Sequence, residues 1–368
     1  MKVGIVTENY FPTLGGIQEH VYYLKKHLPQ YGVDVRVLTG VPAAHDADGP
    51  PDAEENVIRV GRSVRYGTMG TYTEATLGLD TLRAFPRILR RERFDLLHVH
   101  SPCDPGLPML AFTSFHGPTV ATLHSYFPHR PFRRLLAPYY RLVLSRAAAV
   151  VAVSDATRDA MRRYARFRSE VIPNGVEPTL WESGRPIAAL RDGMKNILYV
   201  GRLERRNGCD LLIDAFTTVA RARADVRLVI VGDGPERRAL AARVPPDLRE
   251  RVRFLGSLHR ERPDVYASCD LMAIPARAVG FSILLLEALA AGLPVVALPA
   301  PGVPAAGLHW AAAMLAPHHS APSLAEAVEE ALEVDHAERV GAGRRIARGF
   351  DWSNVARRVL AVYKQVLS

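Results

Sequence analysis

The chain has 368 residues, 48% of them hydrophobic and 23% charged, a balance typical of a soluble globular protein long enough for two domains. Its 47 basic and 38 acidic residues give a formal charge of +9, which favours anionic partners such as nucleotides, nucleic acid or an acidic membrane surface. No apolar run approaches the ~20 residues that a membrane-spanning helix needs.

The N-terminus and the cysteines indicate a cytosolic protein. The stretch MKVGIVTENYF enters a strand-like run at once and has no signal-peptide pattern. Cys103, Cys209 and Cys269 are odd in number, widely spaced and without metal-ligand spacing, so we expect reduced thiols. We therefore expect a cytoplasmic protein, and peripheral association with the inner face of the cytoplasmic membrane is a further expectation.

Short apolar runs separated by helix-like segments predict buried parallel strands. In the first half they are residues 3–6, 35–38, 96–100, 119–123 and 149–153. A polar, proline-rich stretch, 42–56, is expected to form a loop, and IPNGVE at 172–177 is typical of a chain break. The second half repeats the alternation with 196–201, 226–232, 252–256, 271–275 and 293–298.

The two series predict an α/β fold of two Rossmann-like domains facing each other across a cleft. We place the first domain at 1–178 and the second at 179–351. The helical pattern of 350–367 predicts a last helix, 352–368, that returns to the first domain. In such sheets ligands bind beyond the carboxyl ends of the strands, so one substrate is expected on each domain.

Two glycine-containing stretches follow predicted strands. Gly15 and Gly16 precede a helical pattern, where backbone N–H groups can approach a phosphate; the alternative is a flexible turn. Gly232, in GDGPER, follows a mid-chain strand and is a weaker match. Neither has the spacing of a dinucleotide-binding motif, so a nicotinamide cofactor is poorly supported.

Charged residues follow strands of the second half. Arg202 stands where a strand ends and can bind diphosphate oxygens through parallel hydrogen bonds, whereas Arg205 and Arg206 are expected to be solvated. Glu287 lies in an apolar helix that starts after Gly280, Phe281 and Ser282. Its carboxylate can accept hydrogen bonds from a ribose diol, and the alternative is a helix charge paired with an arginine.

Together these stretches resemble the retaining GT-B glycosyltransferases of the glycosyl transferases group 1 family. The resemblance covers nearly the whole chain, and the members to which it is most similar are bacterial phosphatidylinositol mannosyltransferases. The shared stretches are GGIQEHV, HVHSP, VATLHSYF, VAVSDATR, IPNGV, VGRLE, IVGDGP, FLGSL, LLLEALAAGLPVVA and DWSNVA.

The resemblance implies roles for individual residues. Arg202 would bind the donor diphosphate, Glu287 the ribose hydroxyls, and His124 would lie near the anomeric centre and the acceptor; the alternative for His124 is a buried strand-end histidine. Further donor contacts would come from Gly15, Gly16, Asn207, Gly232, Leu258, Val279, Gly280, Phe281, Ser282 and Ile283. Acceptor contacts would come from Tyr10, Gln18 and Tyr126.

The resemblance also implies a mechanism that retains anomeric configuration without a protein nucleophile. The leaving diphosphate would help deprotonate the acceptor, while the protein positions both substrates and stabilises charge. No cofactor and no metal are expected. The one D-x-D, Asp46 to Asp48, lies in an acidic loop and is interpreted as solvated surface.

Two positions depart from the family pattern. Val279 stands where the family has a second glutamate, and Asn207 where it has a lysine. Three explanations remain open: a deoxy or modified donor sugar, compensation by Arg205, Arg206 or Arg277, or a protein that binds nucleotide or lipid and catalyses poorly. We favour an active transferase with an altered donor site.

The acceptor side is basic. Arg83, Arg87, Arg90 and Arg91 have helical spacing, and residues 125–146 contain five arginines and no acid. Such segments suit an anionic membrane surface and a lipid-linked acceptor such as a phosphoinositide, although an ordinary basic helix face has the same pattern. A small polar acceptor remains an alternative.

Two other classes of function compete with transfer. The charge and the mixing of aromatic residues with arginine allow nucleic-acid binding, but the sequence has no recognisable nucleic-acid module, so we expect no nucleic-acid partner. A pseudoenzyme of the same fold would bind nucleotide without turnover. The expected partners are therefore a nucleotide sugar and a hydroxyl acceptor.

Overall fold

The structure is a computed structural model that describes residues 1–43, 49–68, 71–126, 131–302 and 313–368. It divides into two compact units, residues 1–175 with 352–368, and residues 176–351. The predicted boundary, after residue 178, falls at the start of a short helix, Pro178–Glu182.

The first unit is built on an eight-stranded sheet of order β4-β3-β2-β1-β5-β6-β7-β8. All neighbouring strands are parallel except β3 and β4, which form an antiparallel pair. The strands are β1 Lys2–Val6, β2 Asp34–Val41, β3 Val57–Thr68, β4 Thr71–Thr76, β5 Leu96–His100, β6 Thr119–Leu123, β7 Ala149–Ala152 and β8 Glu170–Val171.

Helices cover this sheet on both faces. They are α1 Gly16–His27, α2 Leu79–Glu92, α3 Leu107–Ser114, α4 Ala137–Arg146, α5 Asp155–Arg162 and the last helix, Trp352–Leu367. One core contains Val3, Ile5 and Leu24 with Val359 of the last helix. The other packs Phe85 of α2 and Leu144 of α4 against the opposite face. Strands buried on both faces explain why β5 and β6 read as continuous apolar runs.

The last helix is fixed to the sheet by a buried polar contact. The Tyr363 hydroxyl lies 2.7 Å from Nδ1 of His98 on β5, and Nε2 of the same ring lies 2.6 Å from Oγ1 of Thr122. Because both ring nitrogens have partners, His98 can be buried in the sheet without loss of hydrogen bonding. The helix therefore packs on the first unit, although it follows the second unit in the chain.

The second unit is a six-stranded parallel sheet of order β11-β10-β9-β12-β13-β14. Its strands are β9 Lys195–Val200, β10 Val226–Val231, β11 Val252–Gly256, β12 Leu271–Ile274, β13 Val295–Ala297 and β14 Met314–Leu315. The helices are α6 Pro178–Glu182, α7 Cys209–Ala222, α8 Arg237–Arg243, α9 Arg262–Ala267, α10 Ile283–Ala291, α11 Ala321–Glu333 and α12 Ala337–Gly349; the last helix is then α13.

The ten predicted strands all occur, with ends displaced by at most two residues except at the end of β2, which extends three residues further, to Val41. The sequence did not indicate the β3–β4 pair, β8 or β14. β3 begins VIRVGRSV, in which arginine, glycine and serine interrupt the apolar residues, so it lacks the apolar run on which the strand predictions rested. It also lies towards the edge of the sheet. Within the described ranges, no helix is both long and apolar enough to cross a membrane.

Candidate functional site

Loops meet at the carboxyl edge of the second sheet, after β9, β10 and β11. The Gly201 N–H donates to the Val231 carbonyl at 3.0 Å, and the Gly232 N–H donates to the Gly256 carbonyl at 2.7 Å. Gly232 has a φ of 136°, and an added Cβ would lie 2.0 Å from the Gly201 carbonyl oxygen, so only glycine fits there. Packing explains this glycine, and its donor contact stays a prediction.

A buried carboxylate holds two arginines at the same edge. Glu204 is 1% exposed; its Oε1 lies 3.1 Å from Nε of Arg202, and its Oε2 accepts from Nε of Arg206 at 3.1 Å. Within the described residues, the terminal nitrogens of both guanidinium groups have no recorded hydrogen bond. Arg206 is exposed, as the sequence predicted, and its Nε is also bound to Glu204. Two cations on one carboxylate leave a net positive charge.

The neighbouring side chains of Asn207 and Arg277 make hydrogen bonds within the protein. The Asn207 side-chain amide donates to the Arg202 carbonyl at 2.8 Å and thereby fixes the loop that carries that arginine. Arg277 donates to both carboxylate oxygens of Asp210, at 2.8 and 2.7 Å, and also binds the Arg205 carbonyl. Asp210 neutralises Arg277, whereas Arg206 shares Glu204 with Arg202.

The turn before α10 packs against residues 301 and 302. The Val279 N–H donates to the Pro301 carbonyl at 3.2 Å, and the Ser282 N–H donates to the Gly302 carbonyl at 3.3 Å. These two N–H groups are therefore occupied within the unit, and Phe281 and Ser282 are buried. Ile283 begins α10, which has no side-chain cap, so this helix start offers backbone N–H donors among the predicted contacts. Leu258 lies half-buried beyond β11.

The Glu287 carboxylate is buried and paired inside the protein rather than exposed to a ligand. It is 1% exposed, its Oε2 accepts from the Tyr266 hydroxyl at 2.8 Å, and its Oε1 lies 3.3 Å from a terminal nitrogen of Arg262. The Arg262 guanidinium also lies over the Trp181 ring, 5.2 Å from its centroid. The geometry matches the alternative of a helix charge paired with an arginine, and ribose binding by Glu287 stays a prediction.

The glycine pair of the first unit opens α1. Gly15 and Gly16 are exposed, and α1 has no side-chain cap, so its first N–H groups face outward from a helix N-terminus. Gln18 is buried and donates to Thr13 Oγ1 at 3.0 Å. Tyr10 is also buried, and its hydroxyl donates to the Ala53 carbonyl at 2.9 Å. For these two predicted acceptor residues the structure shows internal contacts.

Tyr126, the third predicted acceptor residue, is half-buried just after β6. The D-x-D pair Asp46 and Asp48 lies outside the described residues.

His124 belongs to a cluster of four histidines inside the first unit. His124 follows β6, and its Nε2 lies 2.8 Å from Nδ1 of His100 at the end of β5. The His20 ring of α1 meets the His124 ring edge to face at 4.8 Å, and its Nδ1 lies 2.6 Å from Oδ1 of Asn174. His98 is the fourth member, tilted against His100 at 4.3 Å. Sequence reasoning missed His20 and His100, although they lie within the family stretches GGIQEHV and HVHSP.

Burial keeps the cluster neutral. It lowers the pKa of His20 to about 4 and that of His98 to about 3. Burial, reinforced by repulsion among the imidazoles, holds the pKa of His100 and of His124 well below 6.5. At pH 7, His124 is therefore an uncharged donor and acceptor rather than a cation.

Glu8 is a second group that sequence reasoning missed. It follows β1, is buried, and accepts hydrogen bonds from the Thr76 N–H at 2.9 Å, the Thr76 hydroxyl at 2.7 Å and the Leu107 N–H at 2.5 Å. Burial raises its pKa to about 7 despite these donors. An acid directly after the first strand was the available signal, since that edge of a parallel sheet carries ligand sites.

Both halves of the chain match known families. Residues 14–180 match Glycosyltransferase Family 4, and residues 194–334 match Glycosyl transferases group 1. The chain is 31% identical to the phosphatidyl-myo-inositol mannosyltransferase of Mycobacterium leprae over 375 residues, which cover 100% of this chain and 97% of that protein. The chain belongs to the glycosyl transferases group 1 family.

Other relatives and solved structures agree with this assignment. The glycosyltransferase is 28% identical to a glycogen synthase of Mycobacterium tuberculosis, with 99% of this chain and 94% of that protein covered. Its fold matches Anabaena HepE in complex with UDP and glucose with a TM-score of 0.79 at 20% identity, over 99% of this chain and 100% of that chain. WaaG, a glycosyltransferase involved in lipopolysaccharide biosynthesis, matches with a TM-score of 0.68 at 20% identity, over 98% and 99% of the two chains. The fold is therefore GT-B, as the sequence predicted.

We expect Glu287→Ala to destabilise the second unit of the glycosyltransferase by about 3–5 kcal/mol, because it leaves the Arg262 guanidinium without its buried counter-charge. Urea unfolding, followed by hydrogen exchange in β9 and α10, measures the loss. The matched control is Glu326→Ala, which removes an exposed glutamate from α11. Equal stability of the two variants would contradict the buried pair.

The raised pKa of Glu8 makes stability depend on pH. The folded protein holds this proton up to about pH 7, while the unfolded chain releases it near 4.5, so the folded state binds more protons in between. The stability contributed by the proton is full below about pH 4.5 and is lost as the pH rises through about 7. Relative to Glu8→Gln, the wild type should lose about 3 kcal/mol across this window.

Urea unfolding of the first unit at several pH values tests this expectation. Asp80→Asn, on the exposed start of α2, is the matched control and should follow the wild type. A constant difference between the wild type and Glu8→Gln from pH 4.5 to 8 would refute it.

Proposed function

We propose that this glycosyltransferase transfers a sugar from a nucleoside diphosphate sugar to a hydroxyl acceptor with retention of anomeric configuration. The observation that carries the proposal is the pair of guanidinium groups, Arg202 and Arg206, that buried Glu204 holds at the carboxyl edge of its sheet. Such an edge is the ligand-binding edge of parallel α/β sheets. Arginines fixed through Nε keep their terminal nitrogens for phosphate oxygens.

The chemistry balances without a protein nucleophile. The bond between the anomeric carbon and the diphosphate oxygen breaks, the acceptor oxygen bonds to that carbon on the same face, and the acceptor proton passes to the leaving diphosphate. Arg202 and Arg206 stabilise the charge that develops on the diphosphate. His124, being neutral, donates or accepts a hydrogen bond near the reacting sugar. In this proposal no metal takes part.

The donor site differs from the family pattern in a defined way. The Asn207 side-chain amide is uncharged and donates to the Arg202 carbonyl, so it does not replace a lysine as a cation. Arg206 restores the missing positive charge from the preceding position. Val279 provides no carboxylate in place of the family glutamate. Its apolar side chain suits a donor sugar that lacks a hydroxyl at the facing position, because a polar side chain there would be left without a hydrogen-bond partner.

For the acceptor we propose a membrane lipid with a polar head, such as a phosphoinositide. Phosphatidyl-myo-inositol mannosyltransferases are full-length relatives, which supports this acceptor class. The first unit also presents an apolar and basic surface on α2. That helix buries Phe85 and Leu89, while Leu79 is 70% exposed and Leu82 51% exposed.

Basic residues border these exposed leucines. Arg83, Arg87 and Arg90 lie on the exposed side of α2. On α4 of the same helical layer, Leu142 and Arg141 are exposed as well. Leucines that insert between head groups, next to arginines that bind anionic lipid, are the pattern of a peripheral surface. We propose that the protein is cytoplasmic and binds the inner face of the membrane there.

The donor proposal predicts one preferred nucleotide sugar. In a panel of nucleoside diphosphates and their sugars, deoxy sugars included, we expect one sugar to stabilise the protein more than its bare nucleotide does. Ligand at about 100 times its dissociation constant adds ~2.7 kcal/mol. Arg206→Gln should weaken nucleotide binding about tenfold, because a hydrogen bond to a charged group contributes about 1.5–3 kcal/mol.

Arg205→Gln is the matched control, since Arg205 is adjacent and exposed, and among the described residues its contacts are made by its carbonyl. Equal losses in the two variants would remove Arg206 from the site. Stabilisation by nucleotides alone, with no turnover of any sugar, would favour the pseudoenzyme. The anomeric configuration of the product, determined by NMR spectroscopy, tests retention, and turnover in excess chelator tests metal independence.

The membrane proposal predicts salt-sensitive binding to vesicles that contain anionic lipid. Reversing the charge of Arg83 and Arg87 together should lower the fraction that sediments with such vesicles at least tenfold, because each arginine near the surface contributes about 1 kcal/mol. Reversal of Arg221 and Arg238, exposed on the second unit, is the matched control. Equal binding to neutral vesicles, or equal loss in the control, would contradict the surface.

A further inference from the structure

Three histidines of the first unit bring ring nitrogens close to one another. His20 comes from α1, His100 from the end of β5 and His124 from the segment after β6. One nitrogen from each ring can be chosen so that all three lie within 4.8 Å of one another. The residues are far apart in the chain, so the convergence results from the fold of the sheet.

The tautomer of His20 is fixed by Asn174. Its Nδ1 lies 2.6 Å from the amide oxygen of that asparagine, an acceptor, so Nδ1 carries the proton. The lone pair is therefore on Nε2, which is buried and has no hydrogen-bond partner. A histidine that donates one N–H to an oxygen and directs the other nitrogen into a cluster has the second-shell pattern of metal ligands.

His100 provides a second nitrogen without a partner. Its Nδ1 faces His124, while its Nε2 is buried and unpartnered. A buried polar atom left in this state costs about 1–3 kcal/mol, so the cluster as it stands is incompletely satisfied. His98 is the internal comparison, since Tyr363 and Thr122 satisfy both of its nitrogens.

We propose that His20, His100 and His124 bind one divalent transition-metal ion of the zinc class. Three imidazoles and no carboxylate suit zinc, cobalt or nickel rather than magnesium or calcium. His124 is the least buried of the three, so we place the fourth position, taken by water, on its side of the cluster. Three histidines with water in the fourth position are an established zinc arrangement.

Small ring movements complete the coordination. A tetrahedral zinc ion with nitrogens at about 2.0–2.1 Å requires them to be about 3.4 Å apart. The widest separation in the cluster is at most 4.8 Å, and the contact of 2.8 Å between His100 and His124 must open. Bonds to the metal then replace that hydrogen bond, and His20 keeps its contact with Asn174.

Metal binding inhibits transfer if His124 acts as proposed above. The ion occupies the His124 nitrogen and fills space beside it, so the sugar loses that contact. This consequence rests on the proposed function, whereas the metal site itself rests only on the cluster. The site is thus inhibitory and is separate from any metal requirement of catalysis.

Cobalt binding to the full chain tests the proposal. The chain, prepared without a polyhistidine tag and treated with chelator, is titrated with Co²⁺, and visible absorption reports low-symmetry coordination. We expect one ion per chain, displaced by Zn²⁺. His20→Gln and His124→Gln should each weaken binding at least tenfold, and Asn174→Ala about tenfold through the second shell.

His116→Gln, an exposed histidine of the same unit, is the matched control and should bind as the wild type does. Circular dichroism checks that the variants fold. If His20→Gln does not fold, the binding measured for His124→Gln, at a partly exposed position, decides the outcome. Absence of binding at millimolar metal, or binding that both cluster variants retain, overturns the proposal. Binding of zinc without inhibition of transfer would leave the metal site in place and refute the role of His124.

Discussion

Charged groups that follow buried parallel strands must find partners inside the protein, and this constraint arranges both candidate sites. Glu204 cannot reach water and takes an arginine on each oxygen. Glu287 takes Tyr266 and Arg262. Glu8, which has only N–H and hydroxyl donors, keeps its proton to a higher pH instead. In each case the partner, rather than the carboxylate itself, determines which polar atoms remain for a ligand.

The sequence predicts the fold well because the signal is local and repeated. Ten apolar runs become strands, and the last helix, 352–367, packs on the first unit as its pattern predicted. The β3–β4 pair was missed because pairing with a neighbouring strand, rather than an apolar run, makes each segment a strand. Strands of mixed polarity towards an edge carry little information until their neighbours are known.

The candidate sites are predicted less completely, because motifs identify residues but not their partners. Arg202 was found from its place after β9, whereas the role of Glu204 depends on a geometry that brings Arg206 to its other oxygen. The sequence around Glu287 has the same pattern whether that residue binds a ribose or pairs with Arg262. His20 and His100 lie within recognised stretches, but their relation to His124 exists only in the folded unit.

The altered donor positions are best understood as one coupled change. A lysine in place of Asn207 would remove the amide that holds the Arg202 carbonyl, and it would add a third cation beside two arginines that already share one carboxylate. Under the proposed function, Arg206 takes over the charge of the lysine, and Asn207 supports the loop instead. If the arginine pair binds the diphosphate in this way, Val279 is the change left to alter recognition of the sugar. The proposal therefore assigns affinity for the nucleotide to the β9 loop and selection among sugars to the turn before α10.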